Sequence, residues 1–426
     1  MNRYAIVGLG GRSRMYYQAL ATRYAGTSKL VGFCDVNQTR MDYANQMLHE
    51  MTGAEPVNAY SFLDFDRMIE EQKPDVVIVT SIDRTHHTYI VRAMELGCDV
   101  ISEKPMTIDK DKCQAILDAI RRTGRKLRVT FNYRYAPHNS KIRELIAAGA
   151  IGDVHSVHFE WLLDTYHGAD YFRRWHRDKR NSGGLLVHKA THHFDLVNFW
   201  IASHPKIVFA MGDLRFYGRE NAEKRGVTQF YSRAHGSEQA RDDPFALHME
   251  DNPRLKAMYL DAEKEDGYYR DQSVFGDGIS IEDTMGVMVR YKNQAIMTYS
   301  LNAYLPWEGY RIAFNGSRGR LQALIVERPY INAGGEGAAE GTTRIKQITV
   351  FPQFAEPYEA EISEGVGGHG GGDTVMLDDI FGAPSPDPLN RAASHIDGAM
   401  SILTGIAANE SIHTGMPVNV DDLVRF

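Results

Sequence analysis

Hydrophobic and polar positions divide the chain into two textures. Through the first 131 residues, short apolar runs alternate with stretches of helical period. The runs Arg3–Val7, Lys29–Cys34, Asp75–Ser81, Asp99–Ser102 and Lys126–Phe131 predict strands. Between them, Met15–Tyr24, Thr39–Thr52, His86–Leu96 and Lys110–Thr123 predict helices. Ile116, Leu117 and Ile120 form an apolar stripe, and Gly124 closes that helix. The Asp75–Ser81 run is continuously apolar through its middle, as an interior strand of a parallel sheet should be. Strands alternating with helices predict one parallel sheet with ligands at its carboxyl ends.

The texture changes near Asn132, which predicts domains at 1–131 and 132–426. His138–Ala148 is helix-like, residues 153–161 alternate polar with apolar, and a histidine-rich helix is expected from Gly184 through Trp200. Residues 212–278 are polar, aromatic and poorly periodic, which suggests an insertion or rim over a substrate. Runs at 285–291, 295–301, 310–315, 320–326 and 344–351 read as strands of an open, mainly antiparallel sheet. A last long helix is expected over Leu389–Ala407, packing back on the first domain.

The first turn carries specific chemistry. Gly8-Leu-Gly10-Gly11-Arg12-Ser13 follows a strand and opens a helix, and Asp35 ends the next strand. This is the arrangement that cradles a dinucleotide. Gly8 permits the tight turn, Gly10 lets backbone amides approach a pyrophosphate, and Asp35 accepts from ribose hydroxyls. Ser13 stands where a third glycine or alanine is usual, and is small enough for close packing. Asp35 disfavours a 2′-phosphate, so NAD is expected rather than NADP, although Arg40, near Asn37, is placed to reach a phosphate. The alternative is a strand–helix turn in another doubly wound protein, with Asp35 as a local cap.

Lys104 sits between Glu103 and Pro105 at a strand's carboxyl end, where an ammonium is presented from a defined edge. The second cluster is Gly183-Gly184-Leu-Leu-Val-His188-Lys189-Ala-Thr-His192-His193-Phe-Asp195. On one helix, His188 and His192 share a face and Asp195 lies a turn further. A histidine there takes a hydroxyl proton as hydride leaves the same carbon, and a nearby lysine favours the alkoxide. The bland alternative is a polar helix surface. A His188/His192/Asp195 metal site is geometrically conceivable, but no fourth ligand is apparent, so no metal is expected. His369-Gly-Gly-Gly-Asp373 lets backbone approach a ligand, with a capped connection as the simpler account. Trp161, Tyr166, Trp175 and Tyr304 are candidates for stacking on sugar faces, or for core and rim positions.

Composition narrows the class. The 426 residues are 43% hydrophobic and 24% charged, ordinary for a soluble globular protein. A formal charge of -7 argues against nucleic-acid or anionic-membrane partners. No apolar run approaches the roughly 18 residues of a spanning helix. The first strand begins at once, without a signal-like segment, so a cytoplasmic chain is expected. Cys34, Cys98 and Cys113 are too scattered for a zinc cluster or disulfide framework.

Taken together, the chain resembles the Gfo/Idh/MocA family of dinucleotide-dependent oxidoreductases over almost its entire length. The resemblance is carried by Gly8-Leu-Gly-Gly, Asp35, Ser81-Ile-Asp-Arg-Thr-His86, Glu103-Lys104-Pro105, Asn132-Tyr-Arg134, Gly183-Gly184 with His192-His-Phe-Asp195, Asn315-Gly-Ser-Arg-Gly and Ser411-Ile-His-Thr-Gly-Met-Pro-Val. It implies an N-terminal Rossmann domain and a C-terminal α/β domain whose open sheet often mediates a homo-oligomer, dimer or tetramer. It implies cofactor contacts at Ser81, His86, Glu103 and Lys104 beside the turn residues. Substrate contacts are expected at Lys104, Arg134, Trp175, His188, Lys189, His192, His369 and Asp373. Lys104 is implied as electrostatic catalyst and His192 as acid/base. His188 stands where the family often has aspartate, so the proton is assigned to His192, alone or shared with His188. Ser81-Ile-Asp replaces a commoner Thr-Pro-Asn run. The implied substrate is a sugar, glycoside or cyclitol. Two alternatives stay open: an NAD-dependent glycosidase using transient oxidation, and an inactive sugar-binding protein.

Overall fold

The computed structural model describes residues 1–328, 345–364 and 371–426. Strands β1 (Asn2–Val7), β2 (Ser28–Asp35), β3 (Ala59–Ser61), β4 (Val76–Val79), β5 (Asp99–Ser102) and β6 (Leu127–Val129) form one parallel sheet. Its order is β3-β2-β1-β4-β5-β6, with helices Ser13–Ala21, Gln38–Thr52, Phe65–Gln72, His86–Glu95 and Lys110–Thr123 as crossovers. Local chemistry sets their ends. The Asn37 side chain accepts from the Arg40 amide and Asp109 from the Lys112 amide, each at a helix start. Buried apolar side chains cover both faces, so Val7, Asp35, Val79 and Ser102 bring their strand ends to one common edge.

The second sheet is larger and mixed. It contains β7 (Val154–Asp164), β8 (Pro205–Asp213), β9 (Thr284–Tyr291), β10 (Ile296–Leu305), β11 (Glu308–Gly316), β12 (Gly319–Arg328), β13 (Ile345–Pro352), β14 (Tyr358–Glu359) and β15 (Val418–Asn419). The order is β14-β13-β12-β11-β7-β10-β9-β8-β15, with β7 and β10 parallel and every other pairing antiparallel. Side chains alternate in β9, where Met285, Val287 and Val289 are buried and Met288 is exposed. Helices Pro137–Ala147, Ala190–Ile201 and His395–Thr414 accompany the buried side, where Trp161, Trp200, Tyr310 and Phe314 interlock.

Three expected boundaries change. The histidine-rich helix is two segments, Leu185–His188 and Ala190–Ile201, meeting at Lys189. Lys189 is buried with its ammonium 5.6 and 5.7 Å from the centroids of Tyr133 and Trp161. The last long helix begins at His395, where Ser394 and Asp397 form a capping box, and continues to Thr414. The glycine-rich connection leads into a helix, Gly372–Phe381, that places Asp373 in its first turn rather than at its cap. The final helix meets the first domain through Gly398, against Met106 and Val129. At Gly405 an added Cβ would lie 2.1 Å from the Leu186 carbonyl oxygen, so the helix backbone approaches the segment that carries His188. Among the described residues no helix is long and apolar enough to cross a membrane.

Candidate functional site

A cleft of about 640 Å³ opens along the carboxyl edge of the parallel sheet and continues to the histidine segments. At one end is the glycine turn. Gly8 has φ +89, and a Cβ there would lie 2.5 Å from the Ser81 backbone, so no larger residue fits. Gly10, Gly11 and Arg12 line the cleft, and so do Asp35 and Arg40. Asp35 accepts from the Leu9 amide and, at 2.9 Å, from the Asn37 amide. Burial pushes its carboxyl up, against the pull of the Leu9 amide and Arg40. The tight turn, outward-facing amide and strand-end acid fit a dinucleotide.

The 212–278 region reaches this end. Its hydroxyl-bearing Tyr259 accepts from the Gly11 amide at 2.9 Å, the kind of donor a phosphate oxygen uses. Asn37 Nδ2 donates to the Ala262 carbonyl at 2.9 Å, Arg40 Nε to that of Met258 at 3.1 Å, and Arg40 NH1 pairs with Asp266 at 2.7 Å. Glu265 accepts from the amides of Gln38 and Thr39. Met249, Met258 and Tyr259 form a small core of their own. Burial works to raise the Tyr259 phenol, yet Arg270 and Arg174 outweigh it and hold it below its ordinary value.

Lys104 and the histidines occupy the other end. Lys104 Nζ donates to the His188 carbonyl at 3.2 Å. His188 Nδ1 lies 2.5 Å from Asp83 Oδ2, and the His176 ring meets the His188 ring at 4.2 Å between centroids. Burial pushes Asp83 well above the usual carboxylate value against Lys104 and Arg174, and burial with His188 holds His176 well below an ordinary imidazole. His192 lines the cleft with its ring edge-on to Tyr133 at 4.6 Å. Asp83, His176 and His188 have donor atoms within 4.8 Å of one another; the grouping with Asp195 does not form.

Other expected site residues are distributed by packing. Ser81, His86, Glu103 and Trp175 line the cleft. His86 lies between the carbonyls of Pro105 at 2.8 Å and Ser81 at 3.0 Å, and burial lowers its pKa, so the neutral ring donates to one of them. Ser13 is buried and donates to the Gly10 carbonyl. Arg134 does not line the cleft; it is 2% exposed and pairs with Asp195 and Asp397. Burial pushes Asp195 up to about 7 in spite of that pairing. Lys189 is likewise turned onto Tyr133 and Trp161, and Asn37 onto Ala262. Asp373 accepts from Asn132 Nδ2 at 2.7 Å and pairs with Arg12 at 3.4 Å, behind the cleft wall. His369 lies outside the described residues. Trp161 is core, stacked on His193, Tyr304 stacks on Phe216, and Tyr166 is half-exposed.

Sequence reasoning missed Asp83, His167, Tyr171, His176, Tyr259 and Arg270, all of which line the cleft. Asp83 lay inside a quoted motif, and a dense run of histidine and arginine from His167 to Arg177 was a signal left unread. The rim residues depend on contacts more than two hundred positions apart, such as Gly11 with Tyr259.

Fold and cleft define a two-domain dinucleotide-binding protein with its site where the sheets' domains meet. Residues 2–131 match the oxidoreductase family's NAD-binding Rossmann fold, and residues 143–420 match its C-terminal alpha/beta domain. The chain belongs to the Gfo/Idh/MocA oxidoreductase family. It is 34% identical to the putative oxidoreductase YteT of Bacillus subtilis, over 100% of this chain and 99% of that protein. It is 32% identical to D-glucoside 3-dehydrogenase of Escherichia coli over 36% of this chain and 41% of the relative. The structure of the WlbA dehydrogenase from Bordetella pertussis, in complex with NADH and UDP-GlcNAcA, superposes with a TM-score of 0.64. That match covers 98% of each chain at 17% identity.

Glu103 anchors the cleft floor through Arg12 Nε at 2.7 Å and the Tyr16 hydroxyl at 2.6 Å. Burial works to raise its pKa, but Arg12 and Tyr16 prevail and lower it. A lowered carboxylate contributes stability that is present above its unfolded value and lost as pH falls through the folded one. Glu103→Gln is therefore expected to destabilise the protein by about 1–3 kcal/mol at neutral pH, with the difference narrowing on acidification. Urea unfolding across pH reads this; equal stability at neutral pH would contradict it.

Proposed function

We propose that the protein is an NAD-dependent dehydrogenase acting on a hydroxyl of a sugar, glycoside or cyclitol, reversibly with the corresponding carbonyl. The observation that carries this reading is one cleft that joins the glycine turn and Asp35 to Lys104 and His192. The likeness to D-glucoside 3-dehydrogenase supports a glycoside-type hydroxyl.

The bound nicotinamide supplies the hydride acceptor. Lys104 places a positive charge near the reacting oxygen and favours the developing alkoxide. His192 takes the hydroxyl proton as the C–H electron pair leaves, and returns it in the reductive direction. His188, held by Asp83, orients the Lys104 ammonium through its carbonyl and meets neighbouring hydroxyls. Trp175 and Tyr268 wall the cleft against water. Asp35 favours NAD over NADP, because a carboxylate accepts from a free 2′-hydroxyl and repels a 2′-phosphate.

His192→Asn is expected to slow single-turnover hydride transfer roughly a hundredfold or more with dinucleotide affinity little changed, and Lys104→Met to lose rate as well, through weaker alkoxide stabilisation. Methyl β-D-glucoside with NAD is a first substrate. Near-normal chemistry in His192→Asn at saturation would remove the proton from His192, and a larger loss in His188→Asn would move it there.

Calorimetric titration is expected to show tighter NAD(H) than NADP(H) binding, with Asp35→Ala narrowing the gap. Equal or tighter NADP(H) binding by the unaltered protein would reverse the assignment.

Self-association is proposed across the outer face of the nine-stranded sheet, where His158, Glu160, Thr298 and Arg311 form a broad polar surface. Sedimentation at micromolar concentration is expected to show a homo-oligomer; a monomer would count against it.

A further inference from the structure

The residues that follow Asp35 present donors suited to a phosphate, and carboxylates of the rim fill them. The helix Gln38–Thr52 starts just after β2, so the amides of Gln38 and Thr39 leave its first turn without a partner inside the helix. Thr39 adds a hydroxyl and Arg40 a guanidinium. Amides at a helix start, a hydroxyl and a guanidinium are together the donor set that holds a phosphate group. Where an acid reads the adenosine ribose, the 2′ position lies beside this stretch, and a nearby arginine is what accommodates a 2′-phosphate.

Two adjacent rim residues take these donors. Glu265 Oε2 accepts from the Gln38 amide at 2.5 Å and the Thr39 amide at 3.2 Å, and Oε1 accepts from the Thr39 hydroxyl. Asp266 Oδ2 pairs with Arg40 NH1 at 2.7 Å, while its Oδ1 accepts from the Tyr268 amide at 3.1 Å, which fixes the carboxylate. Arg40 NH1 is also 3.9 Å from Asp35, so the guanidinium lies between two acids. Asp35, Arg40 and Asp266 all line the cleft. Arg40 Nε donates to the Met258 carbonyl at 3.1 Å, but NH2 is buried with no hydrogen-bond partner among the described residues. A buried donor without an acceptor is unfavourable, so the charge of Asp266 holds Arg40 in a seat that does not satisfy it.

We propose that Glu265 and Asp266 are specificity-determining residues of the dinucleotide site, occupying the donors that would receive a 2′-phosphate. This rests on reading the glycine turn and Asp35 as that site. Asp35 acts on the ribose directly, by accepting from its hydroxyls. The rim acids act through Gln38, Thr39 and Arg40: they withhold four donors and add two negative charges where a phosphate would bring more. An acid at the strand end does not by itself exclude NADP when a guanidinium close by is free to meet the phosphate. Asp266 closes that route, and Glu265 closes the route through the amides. A free 2′-hydroxyl needs none of these groups, so NAD is unaffected. The discrimination thus comes from a repulsive element as well as an attractive one.

The test is calorimetric titration of the full chain with NAD and with NADP, reading the ratio of the two dissociation constants. Glu265→Gln combined with Asp266→Asn is expected to narrow the preference for NAD about tenfold or more, through tighter NADP binding with NAD affinity little changed. Each single variant is expected to give part of that shift, and Arg40→Gln added to the double variant to remove most of it. Acids that served only to fold the rim would weaken both dinucleotides alike and leave the ratio where it was. That result overturns the proposal, and so does an NADP gain that Arg40→Gln leaves undiminished. A preference for NAD with an unchanged ratio in the variants keeps the NAD assignment on Asp35 and rejects the rim acids alone. An unaltered protein that binds NADP as tightly as NAD, or binds neither, rejects both.

Discussion

A buried ion pair holds the two halves of the site in register. Arg134 Nε and NH2 reach the carboxylate of Asp195 at 2.7 and 2.5 Å, and NH2 also reaches Asp397 at 2.9 Å. Arg134 lies just after β6, Asp195 lies on the helix that carries His192, and Asp397 caps the final helix. One guanidinium thus ties the exit of the parallel sheet to both helices behind the cleft. Taking these charges from water is costly, and leaving one without its partner costs about 3–5 kcal/mol. The pair is a better device for fixing geometry than for adding stability. The proposed chemistry needs Lys104, just after β5, and His192 on the second domain's helix to face one substrate atom, which requires that junction to be rigid.

The remaining constraints act on the opposite end. Gly8 fits only because it has no side chain, and Asp35 is fixed by two amides before any ligand arrives. The rim then folds over this turn through Tyr259, Ala262, Glu265 and Asp266. Most of these contacts are polar, and the small Met249–Met258–Tyr259 core is separate from the main ones. The same segment is also anchored in the large core, through Tyr217 and Val274, and its Arg270 pairs with Asp170 at 3.3 Å.

Sequence patterning made the parallel sheet legible because its signals are local. A strand, a glycine turn, a helix and a terminal acid lie within the first thirty-five residues, and the Asp109 and Gly124 caps bound their helix cleanly. Lys104 and His192, which stand out from their sequence neighbours, both line the cleft. The family resemblance implies substrate contacts at Arg134, Lys189 and Asp373, none of which lines the cleft. Their partners, Asp195, the Tyr133 and Trp161 rings, and Asn132, come from tertiary packing that spacing does not encode. The same limit hid the seat of Glu265 on the Gln38 and Thr39 amides, 227 and 226 positions away. The break at Lys189 was also invisible, since the apolar period runs through it.

The central claim is that one cleft holds a dinucleotide on the Gly8–Gly11 turn and a sugar hydroxyl between Lys104 and His192. A crystal structure with NAD and methyl β-D-glucoside tests it most directly. The account predicts phosphates on the Gly10 and Gly11 amides, the adenosine ribose on Asp35, and a sugar hydroxyl within hydrogen-bond reach of Lys104 and His192. A dinucleotide seated away from the glycine turn, or a sugar whose hydroxyls meet neither side chain, would contradict it.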